Sequence, residues 1–341
     1  MNAKTPQPPA TRPRRPFLRT VAVNSCVSAA ALLATLVTVE ILMRLTGFAA
    51  TDWYSGGPGN RALDARAQRN SLGFRDRDYP NHAPPGTVRI LILGDSFAWG
   101  AGVTGDNAIF PALLEENLNR AADGPRVQVL NASLKGANTW KEADLYRHAH
   151  QEFKPDIVAQ VFFVNDVETP AHSPLFAPLV QPALPWIPGP LRDSSYLAHF
   201  LELRVRLVQE RTGRRMNYAR YLHALYADPQ TLSVHERAMD SLAREVRADG
   251  ARLVVVNLPV LHPGPYAFPA ATRHIRAQAA RLHAPFLDLA PELFRHDPAN
   301  LRISRFDAHL NETGHRLTAR ILTRKLEPLV RDAAAHVSNQ N

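Results

Sequence analysis

The sequence predicts an α/β protein in which a parallel sheet is covered by helices on both faces, behind one apolar N-terminal segment. Three observations predict it. Short apolar runs that read as buried strands alternate with amphipathic stretches from residue 88 to residue 329, the pattern of βα units and a parallel sheet. With 341 residues, 45% of them hydrophobic, the chain can enclose one large core and carry appendages. A long apolar stretch, 21–43, follows a basic N-terminus.

Residues 1–20 form a basic tail: Lys4, Arg12, Arg14, Arg15 and Arg19 account for much of the formal net charge of +9, and no acid accompanies them. Elsewhere the charge is dispersed and no basic stripe is interleaved with aromatics, which argues against nucleic acid as a partner. Segment 21–43 has the length of a transmembrane helix. Its positive flank predicts a cytoplasmic N-terminus and export of the rest of the chain. A cleaved signal peptide is the alternative, with Ala29, Ala30 and Ala31 as a cleavage region, but the apolar run continues to Leu42. An uncleaved anchor is the preferred reading. Glu40 and Arg44 are spaced to pair on one helix face. Cys26 is the only cysteine. It excludes an intrachain disulfide and a cysteine zinc site, and too little apolar sequence precedes it for lipid modification.

Residues 44–86, rich in Gly, Arg, Asp, Asn and Pro, read as a linker and entry segment. The main domain, 87–330, then comprises strand 88–93, helix 108–120, strand 127–130, helix 139–153, strand 157–164, helix 234–248 ended by Asp249-Gly250, strand 252–258, helix 270–282, strand 286–289, and helix 312–329 capped by Asn311. Residues 331–341 read as a tail. Residues 170–232 break the alternation. Seven prolines between Pro170 and Pro190 exclude a helix or a central strand there, and 197–208 reads as an amphipathic helix. This insertion is either a lid over the end of the sheet or a surface appendage with no role in binding.

Open parallel sheets bind ligands at the carboxyl ends of their strands, and the residues found there have matching chemistry. Gly94-Asp95-Ser96-Phe97 follows the first strand, Asn131 to Asn138 the second, and Asn165-Asp166 the third; Asp307-Ala308-His309-Leu310-Asn311 precedes the last helix. Ser96 can attack a carbonyl, His309 can take its proton and Asp307 can hold the imidazole. The N–H groups of Ser96 and Gly136 and the side-chain amide of Asn165 can stabilise an oxyanion. Asp95 and Asp166 support their loops through hydrogen bonds. His315 is a competing base, but six residues beyond His309 it falls inside the final helix and faces away. His148 and His150 lie on different sides of a helix and form no metal site.

These segments resemble the blocks of the SGNH (GDSL-type) hydrolase superfamily. Residues 90–97 resemble its serine block, 130–136 its glycine block, 162–166 its asparagine block and 307–315 its acid–histidine block. Asn70-Ser-Leu-Gly-Phe-Arg75 resembles a stretch found before the serine block in membrane-anchored bacterial members. The resemblance implies a flavodoxin-like α/β/α domain with a five-stranded parallel sheet ordered 2-1-3-4-5, and ester hydrolysis with no cofactor and no metal. It implies Ser96 as nucleophile, His309 as base, and Gly136 and Asn165 as oxyanion donors. The spacing Asp307-x-His309 is one residue shorter than the usual form and resembles that of SGNH-like polysaccharide O-acetyltransferases. The expectation is a single-pass bacterial inner-membrane protein whose periplasmic domain removes an acyl group from a small-molecule or glycan ester, such as an O-acylated envelope or exported carbohydrate. An O-acyltransferase and a non-catalytic envelope scaffold are the alternatives.

Overall fold

The computed structural model describes residues 15–48, 64–120, 124–169, 179, 181–305 and 307–338. Five strands form one parallel sheet: β1 (Thr87–Gly94), β2 (Arg126–Asn131), β3 (Ile157–Phe162), β4 (Arg252–Asn257) and β5 (Phe286–Asp288). Their spatial order is β2-β1-β3-β4-β5, with every neighbouring pair parallel. This is the 2-1-3-4-5 order that the family resemblance implies. Every residue of β1 and β3 is buried, which explains why both strands read as continuous apolar runs rather than alternating ones. The order reverses between β1 and β3, so a crevice opens at their carboxyl ends.

Helices cover both faces. On one face α3 (Phe110–Leu118) packs against the final helix, α11 (Glu312–Ser338). On the other lie α4 (Thr139–Phe153), α8 (Pro229–Ala248) and α9 (Pro269–Arg281). Arg147 of α4 reaches Glu245 of α8, and Arg281 of α9 reaches Asp240 of α8. The turn α2 (Ser96–Trp99) follows β1 directly, and α10 (Ala290–Leu293) follows β5. A two-stranded antiparallel ribbon, β6 (Arg302–Ser304) and β7 (Asp307–Leu310), precedes α11. The sequence pattern does not predict this ribbon; from pattern alone Asp307–Leu310 reads as the loop before the last helix.

Three segment boundaries need correction. The expected C-terminal tail at 331–341 is helical to Ser338, and α11 passes through Pro328. A mid-helix proline removes one backbone bond, but Val330 beyond it is buried, Ala333 and Ala334 pack on the core, and Arg252 pairs with Asp332. The linker at 44–86 is only partly a linker. Residues 49–63 lie outside the described residues, whereas Asn70, Phe74 and Arg75 are buried in the domain. Arg75 donates to Gly100 O (2.7 Å), Val103 O (2.9 Å) and Asp106 (2.8 Å), bracing the loop after α2. Within 170–232, residues 170–178 and 180 lie outside the described residues. The remainder contains α5 (Gly189–Ser194), α6 (Tyr196–Arg211) and α7 (Tyr218–Ala227), and Pro229 already begins α8.

The N-terminal helix α1 (Arg15–Thr46) is the one helix, among the described residues, long and apolar enough to cross a membrane. It is longer than the 21–43 expected for it. Its apolar side chains are exposed: Leu33 by 63%, Val27 by 63%. Near its end Glu40 pairs with Arg44 (2.7 Å), but it also accepts from Tyr196 N (3.1 Å), Leu197 N (2.9 Å) and Ser195 Oγ (2.8 Å). The carboxylate therefore caps the first turn of α6, where unpaired N–H groups favour an anion.

Candidate active site

Ser96 sits where β1 turns sharply into α2. Gly94 permits that turn: a Cβ there would approach the Ala98 Cβ to 2.8 Å. Asp95 Oδ1 accepts from Phe97 N (2.9 Å) and fixes the turn. The Phe97 ring stacks on Phe163 with centroids 3.9 Å apart and lies 4.5 Å from the His309 ring. The imidazole thus rests on an aromatic floor beside the serine.

Asp307 and His309 are adjacent on one face of β7, because side chains two apart in a strand share a face. His309 Nδ1–H donates to Asp307 Oδ1 (2.6 Å), and the same oxygen accepts the His309 backbone N–H (3.0 Å). That leaves Nε2 to accept from the Ser96 hydroxyl, 2.8 Å away. Asp307 is 1% exposed and His309 7%. The shortened Asp-x-His spacing is therefore compatible with an Asp–His bond because these residues form a strand. His315 is elsewhere: it is fully buried in α11, its Nδ1 accepts from Phe110 N (3.1 Å), and burial, with the nearby Arg75 charge, pushes it down to about 3. It stays neutral and braces α3 against α11.

The loops after β2 and β3 bring the other sequence-derived residues to the same edge. Leu134 N donates to Gly94 O (3.0 Å), extending the β1–β2 register into the loop that carries Gly136. Gly136 has φ +70°, a conformation that disfavours side chains, and nothing lies within 4 Å of where a Cβ would be. The backbone there is open to a ligand. Thr139 N donates to Asp166 O (3.3 Å) and Asn138 Nδ2 to Glu168 O (2.7 Å), tying this loop to the one after β3. Asp166 accepts from Phe163 N (2.8 Å), closing the turn that presents Asn165. The Asn165 side-chain amide lies near the Asp95 carboxylate beside Ser96 and favours its ionised form. An amide NH2 has two donors, so Asn165 can donate to a ligand.

Beneath the serine turn lies a set of buried acids that sequence reasoning finds only in part. Burial pushes Asp95 up to about 6, opposed by the Phe97 N–H and by His309. It pushes Glu142 up to about 8, opposed by the hydrogen bond from Gln160. Asp166 is held well above the carboxylate range by burial and by the charges of Glu142 and Asp95. Sequence reasoning misses Glu142, though its signal is present. It falls on the stripe of α4 that also carries Thr139, Ala143, Tyr146 and Phe153, all buried, and an acid on an apolar stripe is informative.

Residues 92–317 match the profile of the GDSL-like Lipase/Acylhydrolase family. The chain belongs to this family. It is a GDSL-like hydrolase acting on ester bonds. Among solved structures the GDSL-like domain is similar to TesA (16% identity, TM-score 0.44, covering 71% of this chain and 99% of that one). It is also similar to a two-domain esterase, CEX, active on acetylated mannans (15% identity, TM-score 0.44, covering 72% of this chain and 50% of that one). A third similar structure is the acetyl xylan esterase AlAXEase (14% identity, TM-score 0.41, covering 70% of this chain and all of that one). No curated protein matches the sequence.

Proposed function

We propose that this GDSL-like hydrolase is a serine esterase that works through an acyl-Ser96 intermediate. The observation that carries the reading is the unbroken relay Ser96 Oγ–His309 Nε2 (2.8 Å) and His309 Nδ1–Asp307 Oδ1 (2.6 Å). Ser96 Oγ bonds to the ester carbonyl carbon as its proton passes to His309 Nε2. Asp307 stabilises the imidazolium. The N–H groups of Ser96 and Gly136 and one amide hydrogen of Asn165 hold the oxyanion. When the tetrahedral adduct collapses, the carbonyl carbon's bond to the alcohol oxygen breaks, and that oxygen takes the proton from His309. Water then repeats the sequence on the acyl-serine, releasing the acid. Asp95 and Asp166 act by positioning the serine turn and the Asn165 loop.

We infer further that α1 is an uncleaved anchor and that the substrate is an O-acylated carbohydrate outside the cytoplasmic membrane. In support, the 20 residues between Arg19 and Glu40 carry no charge and as a helix would span about 30 Å, the thickness of a bilayer's hydrocarbon. The basic flank favours a cytoplasmic N-terminus. A second reading, transfer of the acyl group to a sugar hydroxyl instead of water, draws on the Asp307-x-His309 spacing. Labelling with a serine-directed fluorophosphonate tests the chemistry: the wild type should be labelled and Ser96→Ala should not. Labelling of the variant would overturn the assignment. Acetate release from an acetylated glycan, with and without a second glycan as acceptor, separates hydrolysis from transfer.

A further inference from the structure

Behind the strand that carries the acid and the base lies a cavity of about 390 Å³, in the size range of small-molecule sites. Leu203 and Leu207 of α6, Leu222 of α7 and Phe268 from the segment after β4 give it apolar walls, and Tyr218, His262, Arg302 of β6 and Ala308 of β7 are among the other lining residues. Ala308 points away from the face shared by Asp307 and His309, because strand side chains alternate. Neither Ser96, Gly136 nor Asn165 lines the cavity. The cavity and the serine thus lie on opposite sides of β7.

Arg302 is the feature that walls of this kind do not explain. It is only 9% exposed. Its Nε has no hydrogen-bond partner, and among the described residues no acid pairs with its guanidinium. Buried guanidinium groups are ordinarily paired with a carboxylate or phosphate, since an unpaired buried charge is strongly unfavourable. Arg305 adds a second positive group to the same lining. We propose that the cavity binds an anionic amphiphile, with a carboxylate or phosphate on Arg302 and an apolar chain against Leu203, Leu207, Leu222 and Phe268. The position of α6 fits this ligand class: the helix that supplies Leu203 and Leu207 is capped by Glu40 of α1, so one wall of the cavity is joined to the chain's most apolar segment. Ser96 is not among the residues that line the cavity, and the proposal does not rest on the ester chemistry there.

Calorimetric titration of the full chain in zwitterionic nanodiscs tests this with four probes: octyl phosphate, octanoate, octanol and inorganic phosphate. Octyl phosphate or octanoate should bind saturably, at least about tenfold tighter than octanol or inorganic phosphate, because a charge-assisted bond and chain burial each add about that much. The difference between the two anions identifies the head group. Arg302→Met should reduce binding of the anionic probes to the octanol level without lowering the melting temperature of the unliganded protein, since no protein partner is orphaned. Leu207→Trp should block the chain by filling the cavity. Ser96→Ala should bind as the wild type does. The proposal is overturned if no anionic probe binds saturably, if Arg302→Met and Leu207→Trp both bind as the wild type, or if octanol or inorganic phosphate matches octyl phosphate.

Discussion

Asp307→Asn is the most discriminating substitution, because the geometry predicts a smaller loss than a Ser–His–Asp arrangement usually shows. In such a site an Asn can turn its NH2 toward the imidazole, force the wrong tautomer and cost about 10⁴-fold in kcat. Here one oxygen, Asp307 Oδ1, accepts both His309 Nδ1–H (2.6 Å) and the His309 backbone N–H (3.0 Å), while Oδ2 has no partner. An NH2 in the first position would face two donors, so the amide should keep its oxygen there and place its nitrogen where Oδ2 was. The tautomer survives and only the charge is lost. A hydrogen bond to a charged acceptor contributes about 1.5–3 kcal/mol, which corresponds to a fall in kcat of about 10- to 150-fold. Asp307→Ala, which leaves both donors unpaired and the ring unheld, should fall further, by about 10³-fold or more. The assay is steady-state hydrolysis of a short-chain aryl ester, with circular dichroism to confirm that each variant is folded. If Asp307→Asn were as inactive as Asp307→Ala, the amide would have flipped and the reasoning from the shared oxygen would fail. If it were fully active, the carboxylate charge would have no part in the reaction.

Other parts of the structure carry further expected outcomes. Ser96→Ala and His309→Ala should lose activity to the same degree, about 10³-fold or more, because nucleophile and base act as a unit. His315→Ala should keep kcat within several-fold but lose about 1–3 kcal/mol of stability by orphaning the Phe110 N–H; a dead His315→Ala enzyme with an active His309→Ala would reassign the base. Asn165→Ala should reduce kcat by about 10²–10³-fold, and a change confined to KM would remove Asn165 from the oxyanion site. The folded-state value of Glu142, about 8, lies above its ordinary value of 4.5. The folded protein therefore holds this proton where the unfolded chain releases it, and stability is lost as pH rises through that window. Glu142→Gln should flatten the fall in melting temperature between about pH 5 and pH 8, and identical profiles would show that Glu142 does not titrate there. Glu40→Ala should lower hydrogen-exchange protection of the Tyr196 and Leu197 amides by about 5- to 30-fold, the size of a lost helix cap; unchanged protection would mean that α1 does not cap α6.

The fold is readable because its determinants are local. β1 and β3 are buried from end to end, so their apolar runs identify them, and α4 begins and ends where its apolar periodicity says it should, with Asn138 as its cap in the structure. Ser96, Gly136 and Asn165 are legible for a related reason: each follows a strand, and the parallel sheet carries all three to one edge. β6 and β7 are not legible. Each is very short, and their register is two pairs, Arg302–Leu310 and Ser304–Asp307, with an irregularity between them and no periodicity to detect. That ribbon is nevertheless what makes the Asp-x-His spacing workable, since only in a strand do residues two apart share a face. Arg302 lies in the same ribbon. Read in isolation it is one arginine among many, in a chain whose arginines are mostly at the surface. Only the ladder partner Leu310, together with walls contributed by α6 and α7 from about a hundred residues earlier, shows that its guanidinium is enclosed. The same separation hides the role of Glu40. Its pairing with Arg44 is expected from helical spacing, whereas its three bonds to the start of α6 join positions 155–157 residues apart. Such long-range partnerships leave no trace in local pattern. In this chain they join the ribbon that carries Asp307 and His309, the insertion and the apolar helix.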